Sequence, residues 1–186
     1  MCGRYYVDDD TSREIRKILE QLDSKYESSG RKTKEIYPTN MAPILLGESN
    51  IIEPAPMVWG FPNYYNKGVL INARAETALE KKTFRESVMI RRCVIPSTGF
   101  YEWDGDKNKY LFQNKESDML YMAGIYNMYQ GECRFVILTT EANESMRDVH
   151  HRMPVVLKDD DINNWVFDNS SVGRILTQVP PMLKYA

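Results

Sequence analysis

The feature that most constrains the fold is a series of short strand-like runs separated by turn residues. Five of these runs follow one another at 93–95, 100–103, 110–113, 120–126 and 135–139. Turn signals such as Asp104-Gly105-Asp106 and Gln130-Gly131 lie between them. Three further runs come earlier, at 44–46, 57–59 and 69–72. A chain with this many short strands is expected to form a strongly curved sheet.

Helical patterns flank the strands. Thr11 and Glu14 fit a capping box at the start of a first helix. Its apolar positions recur at helical spacing and are Ile15, Ile18, Leu19 and Leu22. The sequence also predicts a polar loop over 28–32, a helix over 77–90, a short helix over 142–148 and a last helix from Asp159 or Asp160 through Trp165. Together these elements predict a single α+β domain over residues 1–186, with a curved, barrel-like, mostly antiparallel sheet flanked by helices.

The composition excludes several classes of protein. The chain has 186 residues, is 42% hydrophobic and 27% charged, and carries a formal net charge of -2. This hydrophobic content is too high for a disordered chain, and no apolar run approaches the roughly 20 residues that span a bilayer. The first residues lack the layout of a signal peptide, so we expect a cytoplasmic protein without membrane association. A non-specific coat on duplex DNA would be strongly basic, so that role is not expected either.

Cysteine and histidine are too few and too scattered to predict a metal site. Cys2, Cys93 and Cys133 are widely spaced and odd in number, which fits neither a disulfide framework nor a zinc ribbon. The two histidines, His150 and His151, are adjacent, and neighbours in sequence rarely point at one metal ion. We therefore expect no metal and no cofactor, and any histidine catalyst must be one of these two.

Cys2 has an unusual position, directly after the initiator methionine. Removal of Met1 would leave an amine and a thiol on adjacent carbons. In short peptides such an amine titrates at about 7.7–8.0 and a cysteine thiol at about 8.5, so both have an accessible reactive form near neutral pH. The amine can attack an aldehyde to give a Schiff base, after which the thiol closes a thiazolidine ring. The thiolate could instead attack an acyl carbon, and a cysteine placed here by chance is the alternative to both.

Polar side chains at strand ends and in irregular segments are further candidates. Asn72 and Arg74 fall on one face of a predicted strand, where they form either a solvated edge or a pair that grips a ligand. Glu102 lies inside an aromatic run, and a buried carboxylate there suits proton transfer. His150 precedes an irregular segment that ends at Pro154, a setting in which catalytic groups are common. An ordinary structural role is the alternative for each.

Arg4, Trp59 and Trp103 are candidates for nucleic-acid contacts. Arg4 would share a face with Cys2 in an extended segment, and a guanidinium there suits a phosphate or a carboxylate. The indole rings of Trp59 and Trp103 could stack on single-stranded bases, at about 1–3 kcal/mol per base. An ordinary surface position for the arginine and core packing of the tryptophans are the alternatives.

No single motif is specific, but seven motifs occur together in a fixed order. They are Met1-Cys2-Gly3-Arg4-Tyr5, Asn40-Met41-Ala42-Pro43, Trp59-Gly60-Phe61, Ile71-Asn72-Ala73-Arg74-Ala75-Glu76-Thr77, Gly99-Phe100-Tyr101-Glu102-Trp103, Leu138-Thr139-Thr140 and His150-His151-Arg152-Met153-Pro154. In this combination the chain resembles the SRAP family (SOS response-associated peptidases, abasic-site processing proteins). The resemblance runs from residue 1 to about residue 157, which is most of the chain.

The resemblance implies a fold and a chemistry. The family fold is a single α+β domain around a barrel-like sheet with a positively charged cleft. Its members bind single-stranded DNA that carries an abasic site, and the N-terminal cysteine links to the sugar aldehyde as a thiazolidine. The resemblance further implies self-removal of the leader residue, a lyase-type activity and a place in the SOS response to DNA damage.

The same resemblance implies a role for each candidate. Cys2 would be the nucleophile, and Asn72 would hold the cysteine and the lesion. Glu102 and His150 would move protons, including in reversal of the crosslink. Two arginines would bind the phosphates beside the lesion, and the two tryptophans keep the stacking role that their side chains suggest. These DNA-binding residues are Arg4, Arg74, Trp59 and Trp103.

Two other functions stay open from the residues alone. One is a thiol peptidase that acts on other proteins, with Cys2 as nucleophile, His150 as base and Glu102 as orienting group. The other is a non-catalytic binder of single-stranded nucleic acid, whose affinity would not depend on Cys2. For the enzyme we expect a monomer whose partner is single-stranded DNA with an abasic site.

Overall fold

We describe the protein from a computed structural model, which describes residues 2–26, 34–64 and 67–186. Met1 and the predicted polar loop over 28–32 lie outside the described residues. The strands are β1 (Arg4–Val7), β2 (Lys34–Ile36), β3 (Met41–Glu48), β4 (Ile51–Trp59), β5 (Phe61–Pro62), β6 (Val69–Leu70), β7 (Asn72–Arg74), β8 (Arg92–Ser97), β9 (Gly99–Trp103), β10 (Lys109–Asn114), β11 (Leu120–Tyr129), β12 (Glu132–Glu141), β13 (Arg152–Pro154) and β14 (Leu183–Tyr185). The helices are α1 (Arg13–Lys25), α2 (Ala75–Ala78), α3 (Lys82–Ile90), α4 (Asp159–Phe167) and α5 (Val172–Thr177), with a 3-10 turn at Asn169–Ser171.

A closed five-stranded barrel is the centre of the fold. Its strands pair in the order β11, β8, β3, β4 and β12, and β12 closes the ring by pairing with β11. Most of these pairs are antiparallel, whereas β12 runs parallel to β4 and to β7. Because β12 has ten residues, it also pairs with β13 beyond the barrel. The expected α+β class with a barrel-like, mostly antiparallel sheet is confirmed.

A second, five-stranded antiparallel sheet lies beside the barrel in the order β14, β10, β9, β1 and β2. Residues that pair across neighbouring strands point to the same face of a sheet. Tyr5 pairs with Phe100, and both side chains are fully buried. Arg4 pairs with Tyr101 on the opposite, outer face, where the side chains are half-buried. This sheet therefore has one face in the core and one face toward solvent.

Helix α1 packs an apolar face onto the barrel because its buried residues recur every three or four positions. These residues are Ile15, Ile18, Leu19 and Leu22, as the sequence predicted. The predicted cap is wrong by one residue. The Ser12 hydroxyl, not that of Thr11, accepts from the Ile15 backbone N–H at 3.3 Å. Thr11 instead donates to the Asp8 carboxylate at 2.6 Å.

Three other predicted elements differ in the structure. The helix over 77–90 is divided into α2 and α3, which are separated by residues 79–81. The helix over 142–148 is a series of turns, in which the Asn143 side chain accepts from the Ser145 backbone N–H. Beyond α4, α5 and β14 extend the fold further than the sequence indicated. No helix in the described part of the chain is long and apolar enough to cross a lipid bilayer.

Candidate active site

Cys2 lies just before β1, at the end of β9, with only 1% of its surface exposed. Its backbone carbonyl accepts a hydrogen bond of 3.0 Å from the Asn72 side-chain amide. Its thiol lies 3.8 Å from the carbonyl oxygen of Arg4. Because β1 begins at Arg4, strand alternation does not extend to Cys2, and the thiol is buried while Arg4 stays half-exposed. Cys2 is thus held at its backbone carbonyl by Asn72 and at its thiol by the Arg4 carbonyl.

Glu102 provides the carboxylate of the site. It lies on the inner face of β9 and is 4% exposed, and its Oε1 accepts from the backbone N–H of Trp103 at 3.3 Å. Burial first, and then the charge of Glu102, raise the pKa of the Cys2 thiol to about 12. The Cys2 sulfur is therefore a protonated thiol at neutral pH in this structure. A carboxylate close to a protonated thiol can accept its proton when the sulfur attacks.

His150 is the third member of the group. Burial lowers the pKa of its imidazole below the ordinary value, although the nearby Glu102 carboxylate acts in the opposite direction. The Arg152 backbone N–H lies 2.9 Å from Nδ1 and the Arg152 carbonyl lies 3.1 Å from it. The same peptide segment therefore offers Nδ1 a donor when the ring is neutral and an acceptor when it is charged. An imidazole held in this way can both take up and release a proton.

Asn72 connects Cys2 to the barrel. Strand β7 pairs with β12, and Ala73, which lies between Asn72 and Arg74 in sequence, is the buried residue of the three. Asn72 and Arg74 therefore lie on one face, as the sequence predicted. Within the described residues, the Asn72 Oδ1 atom is buried without a hydrogen-bond partner. A buried amide oxygen in this state is ready to accept a hydrogen bond from a ligand.

A cleft of about 480 Å³ opens beside His151 and the end of β7. It is lined by Arg74, Glu76, Thr77, Glu141, His151 and Arg152. The guanidinium of Arg152 forms two hydrogen bonds with the Glu76 carboxylate, of 2.8 and 2.9 Å. The side chain of Arg74 is exposed in this cleft, so it can reach an anion in solvent. The rings of His150 and His151 stack at 4.4 Å, which joins the cleft to the buried site.

Arg4 and Trp103 lie together on the outer face of the second sheet. The Arg4 guanidinium is 5.0 Å from the Trp103 ring centroid and 4.4 Å from that of Tyr37. Trp103 is half-buried and therefore presents part of its ring to solvent. Glu102 faces the opposite side of the same strand. The predicted DNA-binding pair thus lies on the opposite face of the sheet from Glu102.

The prediction that Trp59 supplies a stacking face for DNA is wrong. Trp59 is fully buried, and its ring packs between Tyr5 at 5.2 Å and Phe135 at 6.2 Å. Its indole N–H donates to the carbonyl of Ile71 at 3.0 Å. Aromatic neighbours and this hydrogen bond therefore hold the ring inside the core. The carbonyl that accepts the bond belongs to Ile71, the residue directly before β7. Trp59 supports the position of Asn72 rather than contacting a ligand.

The structure thus brings Cys2, Asn72, Glu102 and His150 together from four distant parts of the sequence. Arg74 and the pair of Arg4 and Trp103 lie on two sides of this group. A buried thiol, a carboxylate, an imidazole and an amide can hold a small electrophile and move protons to and from it. Among residues 2–26, 34–64 and 67–186, no group of three or more metal-binding side chains occurs.

Sequence reasoning missed three residues of these surfaces. Arg152 stands inside the His150-His151-Arg152-Met153-Pro154 motif, so the motif itself was a signal that it belongs to the site. Lys109 and Glu35 meet Arg4 on the outer face, where Glu35 contacts both cations. No local pattern could have indicated them, because the contact joins β1, β2 and β10 across the sheet.

Comparison with known proteins gives a consistent result. The chain matches a family model described as SOS response associated peptidase (SRAP) over residues 1–183. The abasic site processing protein YoqW of Bacillus subtilis (strain 168) is 30% identical over 183 residues, covering 89% of this chain and 80% of the relative. The abasic site processing protein YedK of Escherichia coli (strain K12) is 26% identical over 176 residues, covering 89% of this chain and 79% of the relative.

Solved structures share the fold. A crystal structure of a protein from Bacteroides thetaiotaomicron superimposes with a TM-score of 0.80 at 23% sequence identity. The superposition covers 99% of this chain and 90% of that protein. The barrel and the second sheet are therefore an architecture that a distant sequence also adopts.

Proposed function

This chain belongs to the SOS response associated peptidase (SRAP) family, and we propose that it processes abasic sites in single-stranded DNA through a covalent bond to Cys2. Its relatives YoqW and YedK carry the name abasic site processing protein. The observation that carries the proposal is the burial of Cys2 beside Asn72, Glu102 and His150. The open-chain abasic sugar supplies the aldehyde that an N-terminal cysteine can trap.

The covalent step follows removal of Met1, which frees the Cys2 amine. The amine nitrogen adds to the aldehyde carbon, and loss of one water leaves a Schiff base. The Cys2 sulfur then adds to the same carbon, and its proton moves to the nitrogen. The product is a thiazolidine, with one water released in total and no oxidant or reductant consumed.

The roles of the site residues follow from their positions. Glu102 accepts the thiol proton and returns it to the Schiff-base nitrogen, because its charge already acts on the Cys2 sulfur. His150 exchanges protons with the sugar oxygen during ring opening and during reversal of the crosslink. Asn72 holds the Cys2 carbonyl, and its buried Oδ1 accepts a hydrogen bond from the sugar or the cysteine amine.

DNA binding is proposed for the two surfaces that flank the site. Arg74 in the cleft and Arg4 on the outer face bind backbone phosphates, and Trp103 stacks on a base. The partner is a single strand, because a base or sugar must leave the duplex to reach a buried thiol. We propose that a monomer does this. Self-removal of Met1 and lyase-type cleavage at the lesion are further activities proposed for the same residues.

The second candidate is a thiol peptidase that acts on other proteins. Such enzymes need a cysteine whose pKa is lowered, so that the thiolate exists at neutral pH. Here burial and Glu102 raise the pKa of Cys2 to about 12. This favours a chemistry in which the amine reacts first and the thiol follows.

Intact-protein mass spectrometry with an abasic single-stranded oligonucleotide tests the proposal. The expected result is loss of the mass of Met1 and then an adduct heavier by the oligonucleotide minus one water. Cys2→Ala should give no stable adduct. The matched substitution Cys133→Ala should form the same adduct as the unaltered chain, because Cys133 lies on β12 at a half-buried position away from the site. A normal, stable adduct with Cys2→Ala would overturn the proposal, and so would the absence of any adduct with the unaltered chain.

A further inference from the structure

The outer face of the second sheet holds a carboxylate between two cations. Glu35 accepts from Arg4 through Oε2 at 3.3 Å and from Lys109 through Oε1 at 3.0 Å. The Tyr37 hydroxyl also donates to Oε2. These contacts hold the pKa of Glu35 below its usual range, with the hydrogen bonds from Tyr37 and Lys109 as the main causes. Glu35 is therefore an anion bound at a site built from three strands.

The arrangement matches what a DNA phosphate needs. Each of the two carboxylate oxygens faces its own cation, as the two non-bridging oxygens of a phosphodiester would. The side chains are accessible from solvent, with exposed fractions of 26% for Arg4, 31% for Glu35 and 39% for Lys109. An incoming anion can therefore reach both cations without any rearrangement of the core.

Aromatic rings border the same two cations. Arg4 lies over the rings of Tyr37 and Trp103, and the Lys109 ammonium is 3.8 Å from the ring centroid of Tyr101. The Tyr101 and Trp103 rings lie 6.5 Å apart along one strand. Cations that follow a backbone, interleaved with ring faces on which bases stack, are typical of surfaces that bind single strands.

We propose that Arg4 and Lys109 form a two-cation site for one phosphate of the DNA strand, and that Glu35 occupies this site in the unbound protein. The inference rests on the proposed function, since it needs DNA to be the ligand. When the strand binds, a phosphate replaces the Glu35 carboxylate at the two cations. The ion pairs of Glu35 with Arg4 and Lys109 must break, and this offsets part of the favourable electrostatic energy of binding the phosphate. Glu35 thereby lowers the affinity for undamaged DNA and leaves more of the discrimination to the covalent bond.

The test is the affinity of Glu35→Gln for a short, undamaged, single-stranded oligonucleotide, measured by fluorescence anisotropy at several salt concentrations. We expect Kd to fall about 2- to 10-fold, because two partly exposed ion pairs no longer compete with the phosphate. The slope of log K against log salt should become steeper by up to about 0.7, which is the contribution of one phosphate on a single strand. Glu53→Gln is the matched control, since it removes a carboxylate paired with Lys25 at another part of the surface.

Lys109→Met supplies a second arm. Removal of the Lys109 ammonium should weaken binding of the undamaged oligonucleotide when Glu35 is present. The effect should be larger in the Glu35→Gln background, because there Lys109 has no ion pair with Glu35 to break. Thermal unfolding of each variant shows that the protein is folded. Binding by Glu35→Gln that is equal to that of Glu53→Gln, or weaker than that of the unaltered chain, would overturn the inference.

The crosslinking assay separates this inference from the proposed function. If abasic DNA is crosslinked normally while Glu35→Gln leaves Kd unchanged, the two-cation site is wrong and the proposed function stands. If no variant binds undamaged DNA, the two-cation site is also overturned. If the unaltered chain neither binds DNA nor crosslinks an abasic site, both fail together.

Discussion

Trp59 and Trp103 carry the same side chain and have different tasks because they are buried to different extents. Trp59 is enclosed by Tyr5 and Phe135 in the core, whereas Trp103 lies half-buried beneath Arg4 on the outer face. At the scale of a single residue, burial decides whether an aromatic ring stabilises the fold or meets a ligand.

The two tryptophans give opposite expected results on substitution. Trp59→Ala should lower the free energy of unfolding by about 3–5 kcal/mol, since it removes a large core side chain. Trp103→Ala should change that free energy little and weaken binding of single-stranded DNA by about 1–3 kcal/mol, the value of one stacked base. Urea unfolding and fluorescence anisotropy measure the two effects. A Trp103→Ala protein with unchanged affinity would show that its ring does not contact DNA.

Glu102 is expected to matter for rate rather than for affinity. Glu102→Gln keeps the shape of the side chain and removes the proton acceptor beside Cys2, so crosslink formation should slow by about 10²- to 10⁴-fold. Affinity for undamaged DNA should stay the same, because Glu102 faces the core side of β9. Time-resolved quenching of the crosslinking reaction measures the rate. An unchanged rate would remove Glu102 from the proton-transfer role.

At the scale of elements, local hydrogen bonds determine where helices begin and how they hold together. Helix α1 begins after Ser12, whose hydroxyl accepts from the first turn. Helices α4 and α5 are joined by Asp161, which accepts from Arg174 at 2.6 Å and from Gln178 at 3.1 Å. Each of these contacts is confined to one or two elements, so its removal should change stability without changing the site.

The cap of α1 can be tested with neighbouring residues. Ser12→Ala should lower the free energy of unfolding by about 0.5–2 kcal/mol, since it leaves an N–H of the first turn without its acceptor. Thr11→Ala should cost less, because Thr11 is exposed and its hydroxyl donates to the Asp8 carboxylate rather than accepting from the helix. Chemical denaturation of the two variants provides the comparison. A larger loss with Thr11→Ala would mean that the cap is the one the sequence alone predicted.

Asp161 should make stability depend on pH. The hydrogen bond from Arg174, with smaller help from Gln178, lowers the pKa of this buried carboxyl below its ordinary value. Because the pKa is lower in the folded state, the ionised carboxyl stabilises the protein at a pH above the unfolded pKa of about 3.9. This stabilisation is lost as the pH falls through the folded-state pKa of Asp161. Asp161→Ala should remove roughly 1–3 kcal/mol near neutral pH and flatten the acid slope. The exposed Asp160→Ala is the control, and an equal acid slope in both variants would contradict the assignment.

At the scale of the whole molecule, positive and negative charges nearly balance. The net charge is -2, so the protein as a whole does not attract DNA, and the proposed DNA binding would depend on a few cations around one buried site. A covalent bond can replace part of the electrostatic affinity that a basic protein would have. The same argument explains why Glu35 can be tolerated beside Arg4 and Lys109.

This distribution predicts a weak dependence of DNA binding on salt. With about two phosphate contacts, one shared by Arg4 and Lys109 and one at Arg74, log K for undamaged single strands should fall with log salt with a slope of about -1.4. Arg74→Gln should reduce the slope by about 0.7. Titrations at several salt concentrations measure it. A slope several times steeper would show that a much larger basic surface takes part.

Much of the fold and part of the site could be predicted from the sequence. The apolar spacing of α1 and the strand runs over 93–139 were correct, because burial of one face leaves a period that is visible in the chain. The helix over 142–148 was wrong, because side-chain contacts from Asn143 hold that segment in turns. The motifs identified Cys2, Asn72, Glu102 and His150 as candidates, but their spacing could not show that they meet.

The amino-acid order alone therefore determined the classes of element, the family resemblance and the chemical types available. Closure of the barrel and the register between β1 and β9 decided the rest. They buried Trp59 and brought the Cys2 thiol to Glu102, while the pairing of β2 with β1 and of β10 with β9 placed Glu35 between Arg4 and Lys109. The physical reason is that sequence patterns report the environment of each residue along its own element. Contacts between residues far apart in the chain exist only after strands pair and sheets close.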